Sequence, residues 1–579
     1  MTSAAGIAKN MRGAGNAPAL DLHVLLIVLA AAIIGLLILY PLTSLLVASF
    51  QGNDPASSGY AGFENWARIF SQGRILDAIA NTVTLSITRQ AIAIVIGVAV
   101  AWLIARTDLP HRGWIEVGFW IALFMPALPV TLGWVFLAGG KSGVLNKFAA
   151  NMGLTDAVLF NVYSWWGIVF VHVMSATTAV KIFLLVPAFR AMDAALEQAA
   201  RSAGASIPAI LWRIVVPIMM PSILVVLVIG IVRSMQAFEV ELILGAPRQI
   251  DVYSTLIYRA MTQEPPAPGT ASALSILFLM SIVPLVILQQ WISARRRYGV
   301  LSGRFQNRLF ALGALRWPAF AAVLALLFMM TIVPMICVAL ATFMKIFGMF
   351  DIPQPWTLAH WVTAFSSGDV PRALWNSIRL GAMAAVCGMT FFTLIAWLAS
   401  SRPGWPARTL DFLTWLPALI PGVVLSLGLL NLFTGVKLFR PIYGTMTVLV
   451  IAILIATMTV GTQVIRSAIG ALGRELSEAA MMAGATRFQA FRRVVLPLVA
   501  PSVAVIGLEI FATANAAVGI VSLLSTGDTQ PLSIQQLVLL DTGQFEAASV
   551  VGLLIMGLTI TAALLARAIS SRLGAGQGA

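Results

Sequence analysis

The sequence predicts an all-α membrane protein of about 12 transmembrane helices, arranged as two parallel six-helix repeats. Three observations carry that expectation: an apolar excess, a dozen apolar runs of spanning length, and an internal duplication that divides them six and six. Of 579 residues, 59% are hydrophobic and 10% charged, against roughly 45–50% and about 25% in soluble domains. The mean hydropathy is +0.93. Hydrocarbon offers the backbone no hydrogen-bond partner, so spanning segments are helices or closed barrels, and long runs without strict alternation select helices. Intrinsic disorder, a large soluble catalytic domain and a small anchor on a globular body are excluded. Cys337 and Cys387, the two cysteines, lie in apolar runs, which supports neither a disulfide framework nor a cysteine-rich metal site.

Apolar runs place spans near residues 24–50, 78–106, 114–139, 163–187, 220–245 and 270–294, then 319–344, 374–400, 410–432, 442–467, 501–525 and 548–571. The first run follows Lys9 and Arg12 but exceeds a signal-peptide core and lacks a clear cleavage site, so it is expected to be retained. With residues 1–22 and 573–579 as inner tails and 295–318 as a basic inner linker, 22 lysines and arginines fall on inner segments and 10 on outer loops. That bias predicts both termini in the cytoplasm. The net charge of +14 is therefore a topology signal. The arginines do not interleave with aromatics along a groove-like segment, and no nucleic acid partner is expected.

The halves, 23–294 and 319–572, align as a repeat. Asn81-Thr82 recurs as Asn376-Ser377 and Ala101-Trp102-Leu103 as Ala396-Trp397-Leu398, both 295 residues later. Pro126-Ala127-Leu128 recurs as Pro417-Ala418-Leu419, 291 later, and Gly204, Pro217 and Pro221 as Gly484, Pro497 and Pro501, 280 later. Six spans is an even number, so both copies point the same way and the halves form a parallel pair.

After the fourth span of each half comes a patterned polar segment, LEQAARSAGASIPAILWRIVVP from Leu196 to Pro217 and LSEAAMMAGATRFQAFRRVVLP from Leu476 to Pro497. Each reads as a short helix, a left-handed glycine at Gly204 or Gly484, and a second helix that stops before the proline. The paired alanines Ala199-Ala200 and Ala479-Ala480 keep one helix face thin for a partner groove. Glu478 suits the positive end of its helix dipole.

These two segments resemble the E-A-A-x-x-x-G-x9-I-x-L-P signature of membrane subunits of binding-protein-dependent ABC importers of type I architecture. The second copy matches at Glu478, Ala479, Ala480, Gly484, Leu496 and Pro497, with Val494 for isoleucine. The first has Gln198 for the glutamate, with Glu197 one position earlier, and Val216 for leucine. The resemblance covers nearly the whole chain as two fused permease domains in a bacterial cytoplasmic membrane. It implies coupling helices that seat in grooves on two separate ATP-binding cassette subunits, which hold the ATP and magnesium, and a periplasmic or extracellular solute-binding protein. It implies alternating access driven by ATP, with no enzyme activity or cofactor on this chain. Consistently, the nearest phosphate-loop string, Gly139 to Ser142, lacks the glycine required at Val135.

Ionisable residues within spans are costly and therefore informative: Arg89, Lys181, Arg233, Glu239, Glu241, Arg379 and Glu509. Arg233, Glu239, Glu241 and Glu509 fall in the fifth and eleventh spans and are candidates for the solute pathway. The competing expectation for these carboxylates is a buried partner such as Arg233, and His172 is expected as a satisfied interface residue. In one helix Glu239 and Glu241 point about 200° apart, so at most one faces a pathway squarely. The string Phe238 to Gly245, with Tyr258-Arg259-Ala260 and Gln263 to Pro266, resembles fused permeases of ferric iron importers, and carboxylates suit a hard trivalent cation. Permeases for 2-aminoethylphosphonate or thiamine look much alike and stay open as alternatives. A proton-coupled secondary transporter is the competing class, although it would not need the doubled loops. A membrane enzyme is disfavoured by four scattered histidines, His23, His111, His172 and His360, without an H-E-x-x-H.

Overall fold

The computed structural model describes residues 22–53, 62–154, 157–193, 195–295, 309–349, 352–401, 404–473 and 475–576. Lys9, Arg12 and most of the basic linker lie outside them. Among the described residues the chain is helical, with two isolated bridges and no strand. Among the described residues ten helices are long and apolar enough to cross a membrane: His23–Ala48, Gly73–Arg106, Trp165–Arg190, Ile207–Met235 and Pro268–Leu288, then Gly313–Thr342, Asp369–Ser400, Met446–Ala471, Arg487–Ala516 and Phe545–Ser571.

The third and ninth spans are helix pairs bent by near right angles, Arg112–Phe124 with Ala127–Ala138 at 99° and Trp405–Leu419 with Gly422–Gly435 at 113°. Proline makes each bend. Met125 before Pro126 and Ile420 before Pro421 are extended, because the proline ring disfavours helical backbone in the residue ahead of it. Pro126 therefore corresponds to Pro421, 295 residues on, and not to Pro417. The match of the two Pro-Ala-Leu strings is four residues out of register, and the offset shortens only beyond the third span.

The first span of each half packs on the other half. His23–Ala48 lies against the ninth span, and Gly313–Thr342 against the third. Gly428 and Gly133, also 295 apart, make the contacts. A Cβ on Gly428 would come within 2.7 Å of the Pro41 Cβ, and one on Gly133 within 2.7 Å of the Pro334 Cβ. Only a bare backbone admits the proline ring. The opposite helix faces, with Leu25, Leu29, Ile33 and Leu36 on the first span, stay exposed, as a lipid-facing surface requires. The buried faces join Ile38 and Leu45 to Leu425, Leu429 and Leu432 in one core.

The repeated Asn-Thr/Ser pair has a matched role in both halves. Thr82 Oγ1 accepts from the Tyr253 N–H at 3.0 Å, and Ser377 Oγ from the Leu532 N–H at 2.9 Å. These hydroxyls cap the short helices Tyr253–Thr262 and Leu532–Asp541. Asn81 and Asn376 donate to carbonyls just ahead of the same helices, those of Asp251 and of Asp528 and Gln530.

Candidate functional site

The two polar loops have the same backbone. Helices Ala195–Ser202 and Glu475–Met482 end at glycines with φ of +81° at Gly204 and +91° at Gly484. The Ala205 N–H bonds the Ala200 carbonyl at 3.0 Å, and the Ala485 N–H that of Ala480 at 3.1 Å. Such bonds wrap the helix end around a left-handed residue, a conformation that costs any Cβ-bearing residue roughly 1–2 kcal/mol. Ala199, Ala479 and Met482 are exposed.

Beyond the glycines the expectation that a helix stops at proline fails. Residues 207–210 and 487–490 run through π turns, Leu211–Val215 and Phe491–Val495, into the fifth and eleventh spans without a break. Pro217 and Pro497 follow those turns at the second residue of the α-helical stretch. The wider π turn absorbs the carbonyl that a proline ring would otherwise strike. The residues after each glycine and the span they enter are thus one rod, to which the loop helix is joined at the glycine.

Glu197 is not on the exposed face of the loop. It is buried, with its carboxylate held by Trp102 Nε1 at 3.1 Å and Arg106 Nη2 at 2.8 Å. Arg106 Nη1 also donates to the Met192 carbonyl at 3.0 Å. A charge this far from water needs such pairing, so Glu197 anchors the loop to the second span. Gln198 is half-exposed and Glu478 exposed on the loop surface. The repeat had singled out Trp102, but the pairing with Glu197 spans 95 residues and has no local signal.

The carboxylates of the pathway separate. The fifth span ends at Met235, and Glu239 and Glu241 sit on a distinct short helix, Glu239–Gly245. Glu241 is withdrawn from any pathway: it is buried, ion-paired with Arg89, and 3.0 Å from His172 Nε2. Its partner is Arg89 rather than Arg233, and Arg89 also bonds the Ser234 hydroxyl and carbonyl. In the second half the positions of Arg89, Ser234 and Glu241 are Ala384, Ala514 and Val521, so one half alone carries this cluster.

Arg233, Glu239 and Glu509 remain at the junction of the halves. Arg233 is exposed and Glu239 and Glu509 half-buried. The Glu239 carboxylate faces the backbone N–H groups of Val518 and Gly519 across the junction. Glu509 Oε1 accepts from Thr513 at 3.4 Å, Oε2 has no partner, and the charge of Arg233 acts on the carboxylate without an ion-pair contact. Gln236, one turn past Arg233, donates to the Ala418 carbonyl at the bend of the ninth span at 3.0 Å. Among the described residues no three of His, Cys, Asp and Glu gather to hold a metal ion.

Residues 391–575 match the family described as "Binding-protein-dependent transport system inner membrane component". The second half of the chain therefore carries the domain of this family, and the chain as a whole resembles ABC transporter permeases. It is 25% identical over 561 residues to the protein y4fN of Sinorhizobium fredii, named as an ABC transporter permease, covering 94% of this chain and 96% of that one. It is 24% identical to the ferric transport system permease protein FbpB of Actinobacillus pleuropneumoniae, over 89% of this permease and 73% of that protein. Both alignments run through both halves, as a fused two-domain permease requires. A solved bacterial ABC transporter for import of the acidic polysaccharide alginate contains a chain that superposes on 48% of the permease at 21% identity, with a TM-score of 0.41 and 97% of that chain covered.

Proposed function

We propose that the permease forms the solute path of a binding-protein-dependent importer of ferric iron, driven by two separate ATP-binding subunits seated on the loops 195–204 and 475–484. The loops and both termini face the cytoplasm of a bacterial inner membrane, and a solute-binding protein docks on the opposite face. The observation that carries this reading is the doubled loop, with one backbone, one left-handed glycine and thin alanine faces in both halves. Closure of the ATP-binding subunits draws the loops together. Each loop helix is joined through its left-handed glycine to a helix of 29 or 30 residues, roughly 45 Å long at about 1.5 Å per residue. Movement that passes the glycine turn is carried along this helix to Arg233 and Glu509 without a further break.

Ferric iron is supported by likeness to the FbpB protein, whose name carries the ferric substrate, and by the carboxylates of Glu239 and Glu509 at the junction. Exposed Arg233 at the same place favours a second reading, an anionic solute such as 2-aminoethylphosphonate. Uptake into proteoliposomes containing the permease, its ATPase and its binding protein tests both. ATP-dependent accumulation of ferric iron is expected, uptake of the aminophosphonate alone selects the second reading, and uptake driven by a proton gradient without ATPase refutes the class.

A further inference from the structure

The fifth and eleventh spans break at matched places and are held there differently. The fifth ends at Met235 and the chain resumes as the helix Glu239–Gly245, whereas the eleventh ends at Ala516 and runs in bends and turns over 518–524. One hydrogen bond is common to both breaks. Ser254 Oγ donates to the Ala237 carbonyl at 2.5 Å, and Ser533 Oγ to the Ala517 carbonyl at 2.6 Å. The first half adds a second restraint. Arg89, from the second span, donates to the Ser234 hydroxyl and carbonyl ahead of the break and is ion-paired with Glu241 beyond it. His172 Nε2, from the fourth span, meets the same carboxylate at 3.0 Å.

A guanidinium is planar and presents its donors in a fixed fork, so this one side chain sets the angle between the two flanks of the break. Arg89, Ser234 and Glu241 are all buried, where charge-assisted bonds are screened little by water and salt. At the eleventh span the same three positions are Ala384, Ala514 and Val521, and Ala452 stands for His172. These four are buried too, and none has a polar group with which to bridge the flanks. The restrained break is also the one that reaches across to the other half. Gln236 bonds the Ala418 carbonyl, the Phe238 ring lies 3.3 Å from where a Cβ on Gly519 would stand, and the Glu239 carboxylate faces the Val518 and Gly519 N–H groups. Glu239 is two residues from Glu241 on the same short helix.

We propose that Arg89 is a positioning residue of the transport path. Through Ser234 and Glu241 it fixes the break of the fifth span, and with it the presentation of Glu239 to the other half. The path then changes shape at the break of the eleventh span, where Ala384, Ala514 and Val521 offer no bridge and residues 517–524 absorb the change of backbone angles that a hinge needs. The two halves, alike at their loops, play unlike parts at the far ends of their rods, one as a fixed wall and the other as the wall that moves. The assignment rests on the permease reading and is independent of the solute.

Hydrogen–deuterium exchange of the full chain in lipid nanodiscs tests it in two ways. With the ATPase and binding protein present, trapping with ATP and vanadate is expected to change exchange at residues 517–524 by about tenfold or more, while 236–245 stay within about twofold. In the chain alone, R89A/S234A/E241V is expected to speed exchange at 236–245 by about tenfold or more and to leave the helix Tyr253–Thr262 unchanged. Equal change at both breaks on trapping, or change at 236–245 alone, overturns the proposal. So does a triple variant whose 236–245 amides exchange as in the parent, or one in which exchange rises throughout the first half, the mark of a merely structural role. The trapping experiment uses the unmodified chain and decides alone if the variant fails to fold. ATP that alters exchange nowhere, the loops 195–204 and 475–484 included, refutes the permease reading, and the triple variant then still tests Arg89.

Discussion

Arg106 and Glu197 form a buried ion pair, 2.8 Å from Nη2 to Oε2, that ties the first polar loop to the second span. The second half has serine at both places, Ser401 and Ser477. Removing one partner strands the other charge at a cost of about 3–5 kcal/mol. R106S alone is therefore expected to lower the unfolding temperature in detergent and to loosen ATPase binding. R106S/E197S, which copies the second half, recovers most of the loss. A double variant no more stable than the single would show that the pair is not the anchor.

The Arg89–Glu241 cluster leads to a similar test with a different readout. R89A strands Glu241 in the membrane interior and lowers the yield of folded permease. R89A/S234A/E241V installs the side chains of the second half, and exchange of buried ion pairs for apolar groups is often neutral or stabilising by about 1–4 kcal/mol. The triple variant is expected to fold and to transport. Normal folding with abolished uptake would instead assign Glu241 to the pathway.

The left-handed glycines carry the coupling prediction. Proline fixes φ near −65° and cannot take the +91° of Gly484, and leucine at Ala479 and Ala480 thickens the face offered to a partner. G484P and A479L/A480L are expected to insert at normal abundance while uptake falls at least about tenfold, the equivalent of roughly 1.4 kcal/mol of lost coupling. Normal uptake at normal abundance would sink the coupling role.

At Gly428 and Gly133 the cost is steric. G428V drives a side chain into Pro41, and overpacking of this kind costs about 1–3 kcal/mol. Thermal unfolding is expected to fall, and a P41A background to relieve part of the loss. Additive effects of the two substitutions would contradict direct contact.

What the sequence made legible was whatever repeats or is periodic. Apolar runs located the helices, and the doubled E-A-A segments located the loops and their left-handed glycines, because composition and a missing Cβ act locally. The Asn81-Thr82 repeat was visible without its meaning, since the helices that Thr82 and Ser377 cap start 171 and 155 residues downstream. Three features were not read from the sequence. The bends at Pro126 and Pro421 hid inside runs apolar enough to span. The π turns before Pro217 and Pro497 turned an apparent helix stop into continuous helix. The Arg89–Glu241 pair joins residues 152 apart, so Glu241 read from its own helix looked available to solute.

The exchange of first spans bears on what the linker is for. Each half lends a helix to the other, so the halves would hold together even if the chain were cut within residues 296–308, as two proteins clasping by reciprocal arms. Continuity of the polypeptide therefore adds little cohesion. It fixes pairing: a first half always meets a second half and never a copy of itself. Under that guarantee the Arg89–Glu241 cluster and the Arg106–Glu197 pair can settle in one half alone, and neither has to be built twice.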